Sequence, residues 1–341
     1  MPQSAPPIDP KAIRVLITGF GPFRNFNENP SWLAVRPLHN AVFWTQALPL
    51  MPDTEDEFAM HTDEPEYVQT TPLPIHITLA QIPMTYSGVL ATVPGLHARP
   101  PVLPRCPDPD LAMPPPPEHG YDFILHVALA GRGPLRFEKL AHKHGFAMKD
   151  AGGQYAPALP KEHNMTTATE AAEIERMSME MHLQGMIPSS APDEGHGTHD
   201  GPEIPPNRGF GKGYENFSEE IHTDIDVAKL THFLKEIELP DDEEEAMKRS
   251  YTSMDAGHYL CDFAYFCSLA EAKRVSSKQE KSKDRGSPAR STPVLAMHCP
   301  PVSQPLTTEQ VTEAIRIVVV RICSQLNQVP PLHPSQPVTV T

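Results

Sequence analysis

Apolar residues recur along this chain in two spacings, and each predicts a different kind of element. Short runs, apolar at nearly every position, predict strands covered on both faces. Residues 13–18 form such a run and are closed by Gly19-Phe20-Gly21-Pro22-Phe23. Residues 75–82 predict a second strand. Residues 121–130 predict a third, in which Phe123, Ile124, Leu125 and Val127 are almost continuous. Residues 294–298 end the series, and 137–141 follow a turn at Gly131 and Gly133. Helical spacing fills the intervals. Asn29-Pro30-Ser31 opens a helix over 32–38, and further helices are expected at 86–93, 226–237 and 256–269. Thr307-x-x-Gln310 is a capping box, and the helix it opens buries Val311, Ile315, Val318, Ile322 and Leu326 on one side. Strands alternating with helices predict an α/β chain, a three-layer α/β/α architecture with a mixed, mostly parallel central sheet.

Composition changes this picture mainly between the elements. The 41 prolines are in excess while the 19 glycines are not, which marks irregular insertions rather than a repeat. Proline dominates 94–120. Residues 158–213 are rich in Met, His, Gly, Pro and Ser, with one helical piece at 167–183. Residues 52–69 and 241–245 are acidic, and 273–292 reads as a charged Ser/Lys linker. The expectation is a single domain over 11–327, with inserted loops at about 94–120, 158–213 and 273–292 and flexible tails at 1–10 and 328–341.

The formal net charge of −15 argues against a nucleic-acid partner and against an anionic membrane surface. Cys106, Cys261, Cys267, Cys299 and Cys323 are odd in number and fit neither a CxxC metal site nor a disulfide framework. With no apolar leader at 1–10, a cytoplasmic, reducing compartment is expected.

Three constellations offer chemistry. Gly19-Phe20-Gly21 hints at a dinucleotide loop, but Arg24 stands where a third glycine or alanine belongs and Pro22 interrupts the helix start. His196-x-x-His199-Asp200, with His142, His144 and His163 elsewhere, has zinc-ligand types. The 196–200 segment lies in a Gly/Pro stretch with no helix to orient it, so neither a metal nor a cofactor is expected. The third is Cys261 with His298. Small and capping residues precede Cys261, which places its thiol near a helix N-terminus, where the dipole favours a thiolate. His298 ends a short strand, the position from which α/β sheets present side chains to a cleft. A cysteine in an apolar helix is more often core, and Cys267 and Cys299 are competing thiols.

Five segments together resemble pyroglutamyl peptidase I (pyrrolidone-carboxylate peptidase). They are Val15 to Phe23 with Asn29-Pro30-Ser31-Trp32, Tyr121 to Val127, Phe137 to Ala141, Asp255 to Asp262, and Ala296 to Pro301. The resemblance implies a cysteine-type omega peptidase that removes N-terminal pyroglutamate from peptides through an acyl-enzyme. It implies Cys261 as nucleophile, His298 as general base, Glu138 as the group orienting the imidazole, and Phe20 and Phe23 clasping the lactam ring. Pyroglutamate lacks an α-ammonium, so an aromatic pocket binds it without desolvating a charge. Leu129 stands where the family has a glutamine that contacts substrate through its backbone. Lys139 replaces an arginine, and Asp262 replaces an asparagine and is expected to raise the thiol pKa. Two other classes stay open: a silent homologue that binds peptides or a partner through its inserted loops, and a nucleotide binder, which lacks the phosphate loop. The oligomeric state is not legible in the sequence.

Overall fold

A computed structural model describes residues 7–23, 25–46, 71–159, 207–237, 247–281 and 291–328. The expectations for 52–69, 167–183, His163, His196, His199 and 241–245 lie outside them. In chain order the elements are β1 (Ile13–Phe20), α1 (Pro30–Val35), β2 (Val42–Trp44), β3 (Pro74–Ile82), α2 (Tyr86–Leu96), β4 (Phe123–Leu129), β5 (Arg136–Glu138), β6 (Leu140–His142), β7 (Glu220–His222), α3 (Val227–Glu236), β8 (Tyr251–Ser253), α4 (Leu260–Lys281), β9 (Val294–Cys299) and α5 (Thr308–Gln328).

Among the described residues the main sheet has seven strands in the order β2-β3-β1-β4-β9-β5-β8. The four central strands are parallel, with Val15 opposite both Ile77 and Phe123 and His126 opposite Ala296. β2 runs antiparallel to β3, and β5 antiparallel to β9. This is the three-layer, mixed, mostly parallel α/β architecture that the alternation of elements predicts. Side chains alternate between the faces. Val15, Ile17, Leu295 and Met297 pack under α1, α3 and α5. Leu16, Phe20, Ala128, Val294 and Ala296 pack under α2 and α4. The second face is largely aromatic, with Phe263 4.9 Å from Tyr86 and 5.0 Å from Phe146 between ring centroids.

Local signals explain most boundaries. Asn29 caps α1, its side chain accepting from Ser31 N at 3.1 Å, and Pro30 follows at the first helical position. The capping box forms: Thr307 N donates to Gln310 Oε1 at 2.9 Å and Gln310 N to Thr307 Oγ1 at 3.2 Å. α4 departs from expectation at both ends. It starts at Leu260 rather than 256, and it runs on to Lys281, through the first part of the expected 273–292 linker. Lysine, glutamate and glutamine are good helix formers, so once the buried turns nucleate the helix their charge does not stop it. α2 extends to Leu96 with Pro94 inside it, three residues into the expected 94–120 loop. The rest of that segment holds no helix or strand, yet it is tied down: Asn40 Nδ2 donates to Ala112 O at 2.9 Å and an Arg14 terminal nitrogen to Pro115 O at 2.9 Å. No helix among the described residues is long and apolar enough to cross a membrane.

Candidate active site

Parallel strands β1, β4 and β9 all end at the same edge of the sheet, and there they deliver Phe20, Leu129 and His298. In open α/β sheets this carboxyl edge is where clefts form. Alternation puts His298 on the same face as Ala296 and Val294, beneath α4. β5 runs back along β9 with Arg136 opposite His298 and Glu138 opposite Ala296. Arg136 and Glu138 therefore share that face, while Phe137 between them packs into the other core. Residues diagonal across antiparallel strands lie within reach of long side chains. The contact forms: His298 Nδ1 lies 2.7 Å from Glu138 Oε1, with both side chains buried. Arg136 Nε stands 3.4 Å from the same Oε1. Tyr265, in α4, donates its hydroxyl to the Glu138 carbonyl at 3.0 Å and pins the strand from above.

Cys261 is the second residue of α4, so the thiol does stand at a helix N-terminus as its flanking residues predict. It is half-buried, and its surroundings include Arg136, Glu138 and Cys299. The expected thiolate bias is not found. Burial pushes the Cys261 thiol up to about 12, and Asp262, Cys299 and Glu138 add to the rise, which Arg136 only partly offsets. The desolvation of a full negative charge outweighs the attraction of one helix end. Asp262 acts in the expected direction. Among the described residues no hydrogen bond joins the thiol to His298.

The competing groups are placed elsewhere. Cys267 is fully buried beside Tyr214, whose hydroxyl is 3.3 Å from its sulfur and 2.8 Å from Glu271 Oε1. Cys299 faces the opposite core, and burial raises both thiols to about 12. Two carboxylates close to Cys261 in sequence could also serve an imidazole, but Asp255 accepts from Gly257 N and Asp262 from His142, and among the described residues neither is hydrogen-bonded to His298.

The first loop packs closely against the start of α1. A Cβ on Gly19 would lie 2.9 Å from Trp32 Cα, so only glycine lets α1 come this close. Ser31 Oγ accepts from Phe20 N at 3.1 Å, and Asn29 Nδ2 donates to Gly21 O at 3.2 Å. Phe20 and Phe23 are both buried in the aromatic core, with Phe23 6.0 Å from the Tyr259 ring, two residues before the thiol. Leu129 is half-buried opposite Cys299. Arg136 was not among the sequence candidates. Its signal was its spacing, two residues before Glu138 on a strand and hence on the same face.

No protein-family model matches the chain, and no curated protein does. Among solved structures, the pyrrolidone carboxyl peptidase of Thermus thermophilus is 17% identical, with a TM-score of 0.45 over 90% of this chain and 98% of that one. A mutant pyrrolidone carboxyl peptidase of Pyrococcus furiosus is 15% identical, with a TM-score of 0.45 over 92% of this chain and 99% of that one.

Proposed function

We propose that this chain is a cytoplasmic, single-domain cysteine peptidase that removes N-terminal pyroglutamate from peptides, with Cys261 as nucleophile, His298 as general base and Glu138 as its orienting carboxylate. One observation carries the reading. A buried His298–Glu138 pair occupies the carboxyl edge of a parallel sheet, on the face covered by the helix whose first turn holds a half-buried thiol.

Glu138 accepts from Nδ1, which leaves the His298 Nε2 lone pair as the base. The Cys261 proton passes to Nε2 as sulfur bonds to the pyroglutamyl carbonyl carbon and the carbonyl π electrons move to oxygen. Backbone N–H groups at the start of α4 hold that oxyanion. Nε2–H then protonates the departing amine as the C–N bond breaks, leaving the thioester. Water, deprotonated by Nε2, hydrolyses it and returns the proton to sulfur. Because the resting thiol is neutral, proton transfer accompanies attack rather than preceding it. Catalytic hydrogen bonds commonly tighten only once substrate is bound. Glu138, buried beside His298, offsets the charge of the imidazolium. Phe20, Phe23 and the Leu129 backbone are proposed to line the lactam subsite.

The raised thiol is also the observation that favours the second reading, a silent homologue that binds peptides or a partner. Purified protein under reducing conditions separates the two. The peptidase releases a fluorophore from a pyroglutamyl amide and not from the matching glutaminyl amide, whose α-ammonium the subsite leaves unpaired. No release, with the pyroglutamyl peptide still bound, establishes the silent homologue. Equal release from both amides removes the proposed specificity.

A further inference from the structure

A second cluster of histidine and carboxylate lies beyond the proposed triad. Asp262, the third residue of α4, has a fully buried side chain. Its Oδ1 accepts from His142 N at 2.9 Å, and its Oδ2 from His258 N at 3.3 Å. The same Oδ2 lies 2.9 Å from His142 Nδ1 and 4.0 Å from His258 Nδ1. The two imidazoles stack with centroids 4.3 Å apart and an interplanar angle of 34°. One ligand atom from each of the three residues lies within 4.8 Å of the other two.

The backbone around this cluster is shaped to hold it. His258 has φ 42, a left-handed conformation that ordinary residues seldom adopt. Gly145 has φ 93, and a Cβ there would stand 2.7 Å from His258 Nδ1. The left-handed His258 and the missing Cβ of Gly145 thus converge on a single imidazole, and a strained non-glycine residue is most often found where a side chain must be held for a purpose. On the neighbouring strand Glu220 lies directly opposite His142, so further negative charge borders the site. The histidine side chains keep exposures of 16% and 23%, which leaves them reachable from solvent.

We propose that His142, His258 and Asp262 form a binding site for one divalent transition-metal ion of the zinc class. Two imidazole nitrogens and one carboxylate oxygen are the borderline donors such an ion selects, whereas calcium and magnesium ask for oxygen cages. Ligands at zinc distances stand roughly 3.4 Å apart in a tetrahedron, so the 2.9 and 4.0 Å separations need shifts of about half an ångström and the 4.8 Å outer bound one of about 1.4 Å. The ion takes the Nδ1 lone pair of His142 in the tautomer that carries its proton on Nε2. His258 Nδ1 exchanges its contact with the His144 carbonyl, now 2.9 Å, for the metal. Three protein ligands leave a fourth position to water. The site does not depend on the peptidase reading, because binding is read without substrate.

The test is calorimetric titration of the full chain with zinc chloride in a non-thiol reductant. Wild-type protein is compared with His258→Asn and with His142→Gln/His258→Asn. Asparagine tolerates the left-handed backbone, so the first variant removes the imidazole and keeps the turn. Wild type should bind one equivalent more than the double variant, and His258→Asn should weaken that equivalent at least tenfold. A wild-type footprint guards against a variant that misfolds: zinc should shield His142 and His258, but not His222 or His232, from diethyl pyrocarbonate. Equal stoichiometry and affinity in folded wild type and variants, or equal modification of His142 and His258 with and without zinc, overturns the proposal.

Discussion

The two histidine–carboxylate pairs near the start of α4 use similar groups in different ways. In one, Glu138 gives a single oxygen to His298 Nδ1, while its buried Oε2 has no hydrogen-bond partner among the described residues. In the other, Asp262 uses both oxygens on backbone N–H groups and on His142, tying β6 to the first turn of α4. The first carboxylate serves an imidazole; the second also serves the chain. Truncating the first should therefore cost rate, and truncating the second should cost stability. Sequence distance misleads here, since Asp262 is adjacent to Cys261 whereas Glu138 reaches the site only through the pairing of β5 with β9.

The largest expected effect is at the proposed nucleophile. Cys261→Ala should abolish turnover of a pyroglutamyl amide with the unfolding transition unchanged within about 1 kcal/mol. Cys267→Ala should keep turnover and lose stability on the order of 1 kcal/mol, since it empties a fully buried site. The reverse pattern would move the nucleophile.

Glu138→Gln keeps the hydrogen-bonding shape and loses the charge, so kcat should fall about a hundredfold or more with little change in KM. Asp262→Asn should leave kcat within a few-fold and lower stability by about 3 kcal/mol, because a buried, multiply bonded carboxylate is replaced. Wild-type kcat in the Glu138 variant, with a large loss in Asp262→Asn or Asp255→Asn, would show that Glu138 is not the orienting carboxylate.

The thiol yields a pH prediction. With Cys261 raised to about 12, its thiolate fraction climbs throughout the accessible range. Its iodoacetamide labelling should therefore rise nearly tenfold per pH unit from about 7 to 10 without a plateau. A plateau below pH 8 would reveal a standing thiolate–imidazolium pair instead.

The smallest effect concerns histidines that face hydroxyls rather than carboxylates. His126 lies 2.7 Å from Thr18 Oγ1 and His97 2.7 Å from Ser268 Oγ, and burial lowers both to about 3. The sign follows from the unfolded chain, which binds protons below about 6.5 while the folded protein does not. Their contribution is present in full above that pH and is lost as pH falls towards 3. His126→Gln should flatten the pH dependence of the unfolding midpoint between about 6.5 and 4 by roughly one proton. An unchanged slope would mean that His126 is charged in the folded protein.

The central strands, the capped helices and the meeting of His298 with α4 are legible because they follow from periodicity, capping and strand-end position. The short strands at Val42–Trp44, Glu220–His222 and Tyr251–Ser253 are not, since three residues carry no period and exist only through their partners. The reach of α4 to Lys281 was hidden by charge that reads equally as linker or solvated helix. At the site, Cys261, His298 and Glu138 were named from their motifs, and the contact between His298 and Glu138 is present in the fold. The thiol's elevation was only partly legible: Asp262 announced its direction, but desolvation depends on packing that no local motif encodes. The cluster of His142, His258 and Asp262 joins residues about 120 positions apart, which spacing alone does not bring together.

The site at which the acyl group forms decides whether Cys261 is the nucleophile. Turnover of a pyroglutamyl amide is quenched in acid during the steady state, and the digested protein is mapped by mass spectrometry. A pyroglutamyl thioester on the peptide carrying Cys261, absent from Cys261→Ala, is the predicted result. A thioester on Cys267 or Cys299, or continued release of the fluorophore by Cys261→Ala, would contradict it.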